Sequence, residues 1–237
     1  MMSEKIAAGI VLYNPEPERL GKCLRAVYKQ VDRVFVVDNG SRNFPQIKDI
    51  LEEFRNLEVI PNEKNIGIAA ALNQLMKRAA EKEYRWLLTL DDDSVCDDGM
   101  AAALCKYADG KKIGIICPVA VDDKMQMPPR TERPVKEIDS CITAGALTNV
   151  SAWMAVGGFD ERMFIDFVDV EYCTRLRKNH YRILQVDEGK YIHQQYGNIR
   201  GAFSLFGKKL YLFDYPPKRI YFSVRNTVFC LHGYLFK

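Results

Sequence analysis

Three consecutive carboxylates, Asp91, Asp92 and Asp93, end the apolar run Trp86-Leu87-Leu88-Thr89-Leu90. Adjacent anions repel one another, and a hard divalent cation with phosphate oxygens on its far side relieves that repulsion. The apolar run reads as a buried strand of a parallel sheet, and ligands bind beyond the carboxyl ends of such strands. The triplet is therefore expected to form a metal-assisted phosphate site rather than a solvated acidic turn. Neither GxxxxGK[ST] nor GxGxxG occurs, so the usual backbone cradles for phosphate are missing and the cation must do more.

A second acidic group, Asp166, Asp169 and Glu171, precedes Cys173-Thr174-Arg175-Leu176-Arg177. Acids in the first turn of a helix complement its dipole. A carboxylate facing a leaving group across a cleft can instead act as general base toward an acceptor hydroxyl. Spacing alone leaves both readings open. His193, one of 3 histidines, falls near the expected ligand edge; it is either a packed residue or a ligand, and one imidazole beside carboxylates suits Mn²⁺ or Mg²⁺. Asp38 opens Asp38-Asn39-Gly40-Ser41, where its acceptor-only oxygens suit a base or ribose and equally suit a turn.

The elements that must position these groups alternate. Ile6 to Tyr13 is a strand, Glu18 to Tyr28 a helix, and Val34 to Val37 a second strand. Phe44 to Phe54 is helical, Leu57 to Ile60 a third strand, and Ile68 to Lys82 an Ala-rich helix leading to the Trp86 strand. Such alternation predicts an α/β fold: a mostly parallel sheet with helices on both faces, wound by right-handed crossovers. The polar loops at Tyr13-Asn14-Pro15, Asp38 to Ser41, Asn62 to Gly67 and Asp91 to Asp93 then converge on one edge. Beyond Lys112, strands are expected at Ile113 to Cys117, at Ile142 to Leu147 centred on Thr143-Ala144-Gly145, and at Ile183 to Val186. A helix should end near Lys178, and the Pro-rich stretch from Val121 to Lys136 reads as a mobile lid.

A chain of 237 residues with 48% apolar content can bury a large core. It has no apolar run long enough for a membrane span, and Met1 to Lys5 lead straight into a strand without a signal peptide, so a cytoplasmic location is expected. The 7 cysteines are scattered without CxxC or Cys/His spacing, which argues against a disulfide framework and a zinc site. From Arg200 onward, seven Lys/Arg oppose Asp214 alone, a charge of +6 that leaves the first 199 residues at −3. Ten of the chain's aromatic residues lie there too. Basic and aromatic residues together suit an anionic bilayer surface, contacted peripherally from the cytoplasmic side, or equally a packed helical extension with a solvated basic face. Nucleic acid is the disfavoured partner.

Taken in order, these segments resemble the family 2 inverting glycosyltransferases of the GT-A fold, and within them the rhamnosyltransferase-like branch. The matching pieces are Val11 to Pro15, Val36 to Ser41, Asn65 to Asn73, Leu90 to Ser94, Thr143 to Gly145, Gly157 to Asp160, Phe164 to Cys173 and Tyr221 to Asn226. The resemblance implies a catalytic domain over residues 1–199, with a nucleotide-binding half (1–112) and an acceptor-binding half (113–199), and a basic aromatic extension over 200–237. It implies donor contacts at Tyr13, Asn14, Asp38, Asn65, Gly67, Asn73, Asp91 and Asp92. A Mg²⁺ or Mn²⁺ ion would be held by Asp93, Asp91 and His193 in a DXD-type element. Asp169 falls at the family's base position; because Val168 precedes it where an acid is common, Asp166 is a rival. The implied donor is a nucleoside diphosphate sugar, dTDP-rhamnose or a UDP-sugar, and the implied acceptor a saccharide or lipid-linked glycan.

Two other readings fit parts of the pattern. Asp91-Asp92-Asp93-Ser94-Val95 satisfies the DxDx[TV] motif of haloacid-dehalogenase-type phosphatases, although that motif normally lies on the first strand. A catalytically silent nucleotide-sugar-binding module docked at a membrane would carry the same fold.

Overall fold

The computed structural model describes residues 5–122, 134–194, 199–205, 208–213 and 215–235. The first half is regular: β1 (Ile6–Leu12), α1 (Pro17–Tyr28), β2 (Arg33–Asp38), α2 (Phe44–Glu52), β3 (Leu57–Pro61), α3 (Ile68–Glu81) and β4 (Trp86–Asp91). Then come β5 (Val95–Cys96), α4 (Met100–Cys105), β6 (Ile113–Asp122), β7 (Val135–Glu137), β8 (Ala146–Asn149), α5 (Val150–Ala155), α6 (Val168–Lys178) and β9 (Arg182–Gln194). A hairpin of β10 (Ile199–Leu205) and β11 (Lys208–Phe213) precedes the last helix, α7 (Pro217–Leu235).

Nine strands form one sheet in the order β3-β2-β1-β4-β8-β6-β9-β5, with β7 on β9. β3, β2, β1 and β4 are parallel neighbours, as the alternating pattern requires. The second half mixes directions: β8 lies antiparallel between β4 and β6, whereas β6 and β9 are parallel.

The period of two along each strand divides the core. Ile6, Ala8, Ile10 and Leu12 join Val34, Val36, Leu88 and Leu90 against α1, α2 and α4. Ala7, Val11, Phe35, Val37 and Leu87 face α3, α5 and α6. Each strand thus feeds two hydrophobic layers, which is why β1 is buried along its whole length. α1 shows the helical counterpart: Glu16 caps it by accepting from Glu18 N and Arg19 N, Pro17 starts it, and Leu20, Cys23, Leu24 and Val27 make one buried stripe. Gly9 lets α3 settle on the sheet, because a Cβ there would lie 3.1 Å from both Leu75 Cδ1 and Leu87 Cδ2.

Several expectations are corrected in the second half. Thr143-Ala144-Gly145 is a turn, not the centre of a strand: Gly145 has φ +79, and β8 begins only at Ala146. The Thr89 hydroxyl fastens that turn by donating to Thr143 O at 2.6 Å. β6 and β9 outrun their predicted ends because they pair with each other up to Asp122 and Gln194. The expected lid is in part a strand, β7, which pairs with β9 from Val135 to Glu137; its residues 123–133 lie outside the described residues. The C-terminal extension holds a β-hairpin as well as a helix.

Candidate active site

β4 ends in the middle of the sheet, with Asp91 in register beside Val11 of β1. Beyond that edge lies a cavity of about 370 Å³, lined by Val11, Tyr13, Asn39, Asn65, Ile68, Asp91, Asp92, Asp93, Phe164, Ile165 and Arg219. The acidic triplet therefore stands on a cleft wall. A turn holds it there, with Ser94 N donating to Asp91 O at 3.1 Å and β5 leading the chain away.

Another part of the lining is organised by Asn39, which the sequence marks only as part of a turn. It is 2% exposed. Its Nδ2 donates to Asn65 Oδ1 at 3.1 Å and to Gly67 O at 3.3 Å, and its Oδ1 accepts from Ile66 N at 3.0 Å. Asn65 Oδ1 also takes Gly67 N at 2.9 Å. The 65–67 segment is thus folded onto the end of β2. Gly67, at φ +92, allows Phe164 to close against it: a Cβ would lie 2.8 Å from Phe164 Cδ2 and 2.9 Å from Phe164 O.

The other expected donor contacts divide. Tyr13 and Asn65 line the cleft. Asn14 ties two loops together, its N–H donating to Ser41 Oγ at 2.9 Å while its Oδ1 accepts from Arg42 N at 2.8 Å. Asp38 is buried and accepts from Ser41 N at 3.2 Å, so the turn reading describes the carboxylate as it stands. Asn73 does not reach this cleft. Its amide joins α3 to the segment after α5, accepting from Trp153 Nε1 at 2.9 Å and Phe159 N at 2.8 Å and donating to Phe159 O and Glu161 Oε1 at 2.9 Å. That is a full set of bonds for a side-chain amide, and it makes Asn73 a structural brace. His193 sits within β9, paired in register with Val95 two residues past Asp93. Its ring nitrogen lies 3.1 Å from Asp97 Oδ1, and it does not line the cavity.

The second acidic group also separates by role. Glu171 is buried and holds Arg175 through both oxygens, at 2.5 and 2.7 Å, while Arg175 donates to Val156 O; this is a structural ion pair. Asp166 faces Arg219 of α7, with Nη2 at 3.0 Å. Asp166 and Phe167 both adopt left-handed backbone, φ +63 and +64, where the chain turns into α6. Asn226, fully buried on α7, donates to the carbonyls of Ile165 and Asp166 at 2.8 and 2.9 Å. Asp169, in the first turn of α6, accepts from Val170 N at 2.8 Å. Among the described residues it has no ion pair.

Electrostatics tie the two groups together. Burial, then the charges of Asp93 and Asp169, push Asp91 up to about 6, with Arg219 opposing. Burial, then the charges of Asp93 and Asp91, lift Asp92 to about 7, against a hydrogen bond from the Tyr13 N–H. Burial raises Asp93, with Arg19 opposing, and burial raises Asp169. Asp91 keeps an exposed surface because it borders the cavity, while the protein packed behind it removes much of its hydration. Asp91, Asp92 and Asp93, carboxylates forced toward their neutral forms in one cleft that Asp169 does not line, are a donor set suited to a hard divalent cation. Among the described residues no three His, Cys, Asp or Glu side chains converge as a ready-made chelate. An ion held by Asp91 and Asp93 would therefore complete its shell with water or ligand oxygens, as Mg²⁺ commonly does.

A mixed sheet, parallel over β3, β2, β1 and β4, with an acidic triplet at the end of β4, has the architecture of the GT-A fold. The chain belongs to glycosyl transferase family 2, whose model matches residues 8–175. It is 28% identical over 267 aligned positions to the dTDP-rhamnosyl transferase RfbF of Shigella flexneri, covering 97% of this chain and 87% of that protein. It is 25% identical to the N-acetylglucosaminyl-diphospho-decaprenol L-rhamnosyltransferase of Mycobacterium tuberculosis, covering 82% of this chain and 77% of the relative. Among solved structures it resembles S. aureus TarS 1–349 in complex with UDP-GlcNAc, with TM-score 0.65, 18% identity and 82% of this chain covered. GalNAc-T7 with UDP, GalNAc and Mn²⁺ superposes with TM-score 0.68 at 13% identity over 94% of this chain. This chain spans 60% and 47% of those two solved chains, and the likeness there is one of fold. The family match runs across Asp91 to Ser94 and retires the phosphatase reading.

Proposed function

We propose that the protein is an inverting glycosyltransferase that moves a sugar, rhamnose in the first instance, from a nucleoside diphosphate to a saccharide or lipid-linked acceptor. The observation that carries this reading is the cleft at the end of β4, a cavity of about 370 Å³ whose lining brings Asp91, Asp92 and Asp93 together with Tyr13, Asn39 and Asn65. The rhamnosyl transferases among its relatives point to dTDP-rhamnose as the donor.

In this reading Asp91 and Asp93 would hold a Mg²⁺ or Mn²⁺ ion, which when bound would supply positive charge beside the departing diphosphate. Asp169 removes the proton from the acceptor hydroxyl, so attack from the face opposite the leaving group inverts the anomeric centre. Its raised affinity for protons and its lack of an ion pair among the described residues suit a base, whereas Asp166 is already engaged by Arg219. His193 is kept near the site by Asp97 and serves at most as an outlying contributor to the cation.

The C-terminal extension suits a membrane surface carrying the acceptor. Ile220, Tyr221, Val224 and Val228 on α7 are 50 to 62% exposed, and the extension bears strong positive charge. Among the described residues no helix is long and apolar enough to cross a membrane, so the contact proposed is peripheral.

The test is transfer itself. The purified protein is incubated with dTDP-rhamnose or UDP-sugars and a lipid-linked saccharide fraction, with Mn²⁺ or with a chelator, and nucleoside diphosphate release is followed. Acceptor-dependent, metal-dependent release supports the reading. Binding of a nucleoside diphosphate without turnover on any acceptor favours the silent module instead.

A further inference from the structure

We infer that Arg219 is the chain's own diphosphate-binding side chain, parked on Asp166 until a donor enters the cleft. This rests on the glycosyltransferase reading and assigns a residue that the acidic motifs leave out. Among the described residues lining the cavity, Arg219 is the single cation. It belongs to the first turn of α7, where its own N–H bonds Pro216 O at 2.9 Å, so its position follows from the start of that helix.

Two contacts hold the guanidinium at the cleft. Its carbon lies 4.0 Å from the centroid of the Tyr215 ring, and Nη2 and Nε reach Asp166 at 3.0 to 3.4 Å. A planar fork with several donors matches a phosphate as well as a carboxylate. Its neighbour Lys218 lies over the ring of the cleft residue Phe164 at 5.3 Å and is not itself in the lining. The pair with Asp166 is partly open to solvent, with side chains 35% and 19% exposed, and an ion pair of that kind is weakly held.

Charge accounting favours the exchange. The cleft already contains three carboxylates, and a diphosphate adds further negative charge; a single divalent ion leaves an excess that Arg219 is placed to offset. On donor entry the guanidinium trades one Asp166 carboxylate for diphosphate oxygens and keeps its seat on Tyr215.

Calorimetry with thymidine and uridine diphosphates and their monophosphates, in Mn²⁺, tests this on the full chain. Arg219→Ala should weaken diphosphate binding at least tenfold and reduce the preference for diphosphate over monophosphate, with Arg219→Lys intermediate. Asp166→Asn, which tolerates the left-handed backbone, should tighten diphosphate binding by freeing Arg219, and the gain should vanish in the Asp166→Asn/Arg219→Ala double variant. Diphosphate binding by Arg219→Ala as tight as by the folded wild type overturns the inference while leaving the glycosyltransferase reading intact. If Arg219→Ala does not fold, an undiminished preference in Arg219→Lys together with an unchanged Asp166→Asn overturns it. Failure of the wild type to bind any nucleoside diphosphate overturns both.

Discussion

The side-chain amide of Asn226 donates to the main-chain carbonyl of Asp166 at 2.9 Å, so the last helix holds in place the turn from which α6 and Asp169 begin. The same amide reaches Ile165 O at 2.8 Å. Two successive residues in left-handed backbone, Asp166 and Phe167, cost about 1–2 kcal/mol each, and the buried bonds from α7 offset that strain. The C-terminal segment is accordingly part of the scaffold around the candidate site.

Replacing Asn226 by Ala leaves two carbonyls without this donor, at a cost of about 1–3 kcal/mol for each that stays buried. Asn226→Ala should lower both the melting temperature and kcat. Asn226→Asp, which cannot donate, should behave alike. Unchanged kcat in a folded Asn226→Ala protein would show that the turn does not position the base.

The two candidate bases make different predictions. Asp169→Asn should retain its fold and lose about 10²- to 10⁴-fold in kcat, the usual contribution of a general base. Asp166→Asn should keep far more of its turnover than Asp169→Asn, because in this account Asp166 only holds Arg219 before the donor enters. Steady-state kinetics on both variants decides, and the opposite ranking would move the base to Asp166.

Asp91 and Asp92 bind protons more tightly folded, at about 6 and about 7, than the roughly 3.9 of an unfolded aspartate. Between about pH 4 and pH 7 the unfolded chain therefore gives up these protons first, and rising pH destabilises the metal-free protein. A divalent cation competes with the protons, so its stabilisation should grow over the same interval. Thermal melts in chelator and in Mn²⁺ at pH 5 and 7.5 measure both effects. Each kcal/mol shifts a chain of this size by roughly 2–4 °C, and Asp92→Asn should flatten the metal-free trend. A metal-free protein that gains stability across this window, with Asp92→Asn the same as wild type, contradicts the assignment.

The outer stripe of α7 should report on the membrane. Val224→Glu with Val228→Glu places charge on exposed positions and should abolish co-sedimentation with anionic phospholipid vesicles while leaving nucleotide binding unchanged. Equal sedimentation of variant and wild type would remove this helix as the contact.

The first half of the fold was legible because its signals are local. Val34 to Val37 and Trp86 to Leu90 are apolar runs stopped by polar turns, and α1 and α3 show a clear helical stripe. Antiparallel β8 was misplaced because Thr143-Ala144-Gly145 looks strand-like, and only the φ of Gly145 and the Thr89 bond make it a turn. The site was half legible. Asp91 to Asp93 stand out since three acids after a buried strand are costly. Asn39 was hidden inside ordinary turn chemistry, Asn73 was expected to contact the donor although it braces two helical segments, and Arg219 was lost among the basic residues of the tail. Those roles depend on contacts between residues far apart in the chain, which spacing does not encode.

The central claim is that the acidic cleft binds a nucleoside diphosphate through a cation, and calorimetric titration tests it most directly. Thymidine and uridine diphosphates are titrated into the protein with and without Mn²⁺, and again into Asp93→Ala. The account predicts metal-dependent binding by the wild type that Asp93→Ala loses while remaining folded. Absence of binding to either nucleotide by folded wild type in Mn²⁺, or undiminished binding by Asp93→Ala, would contradict it.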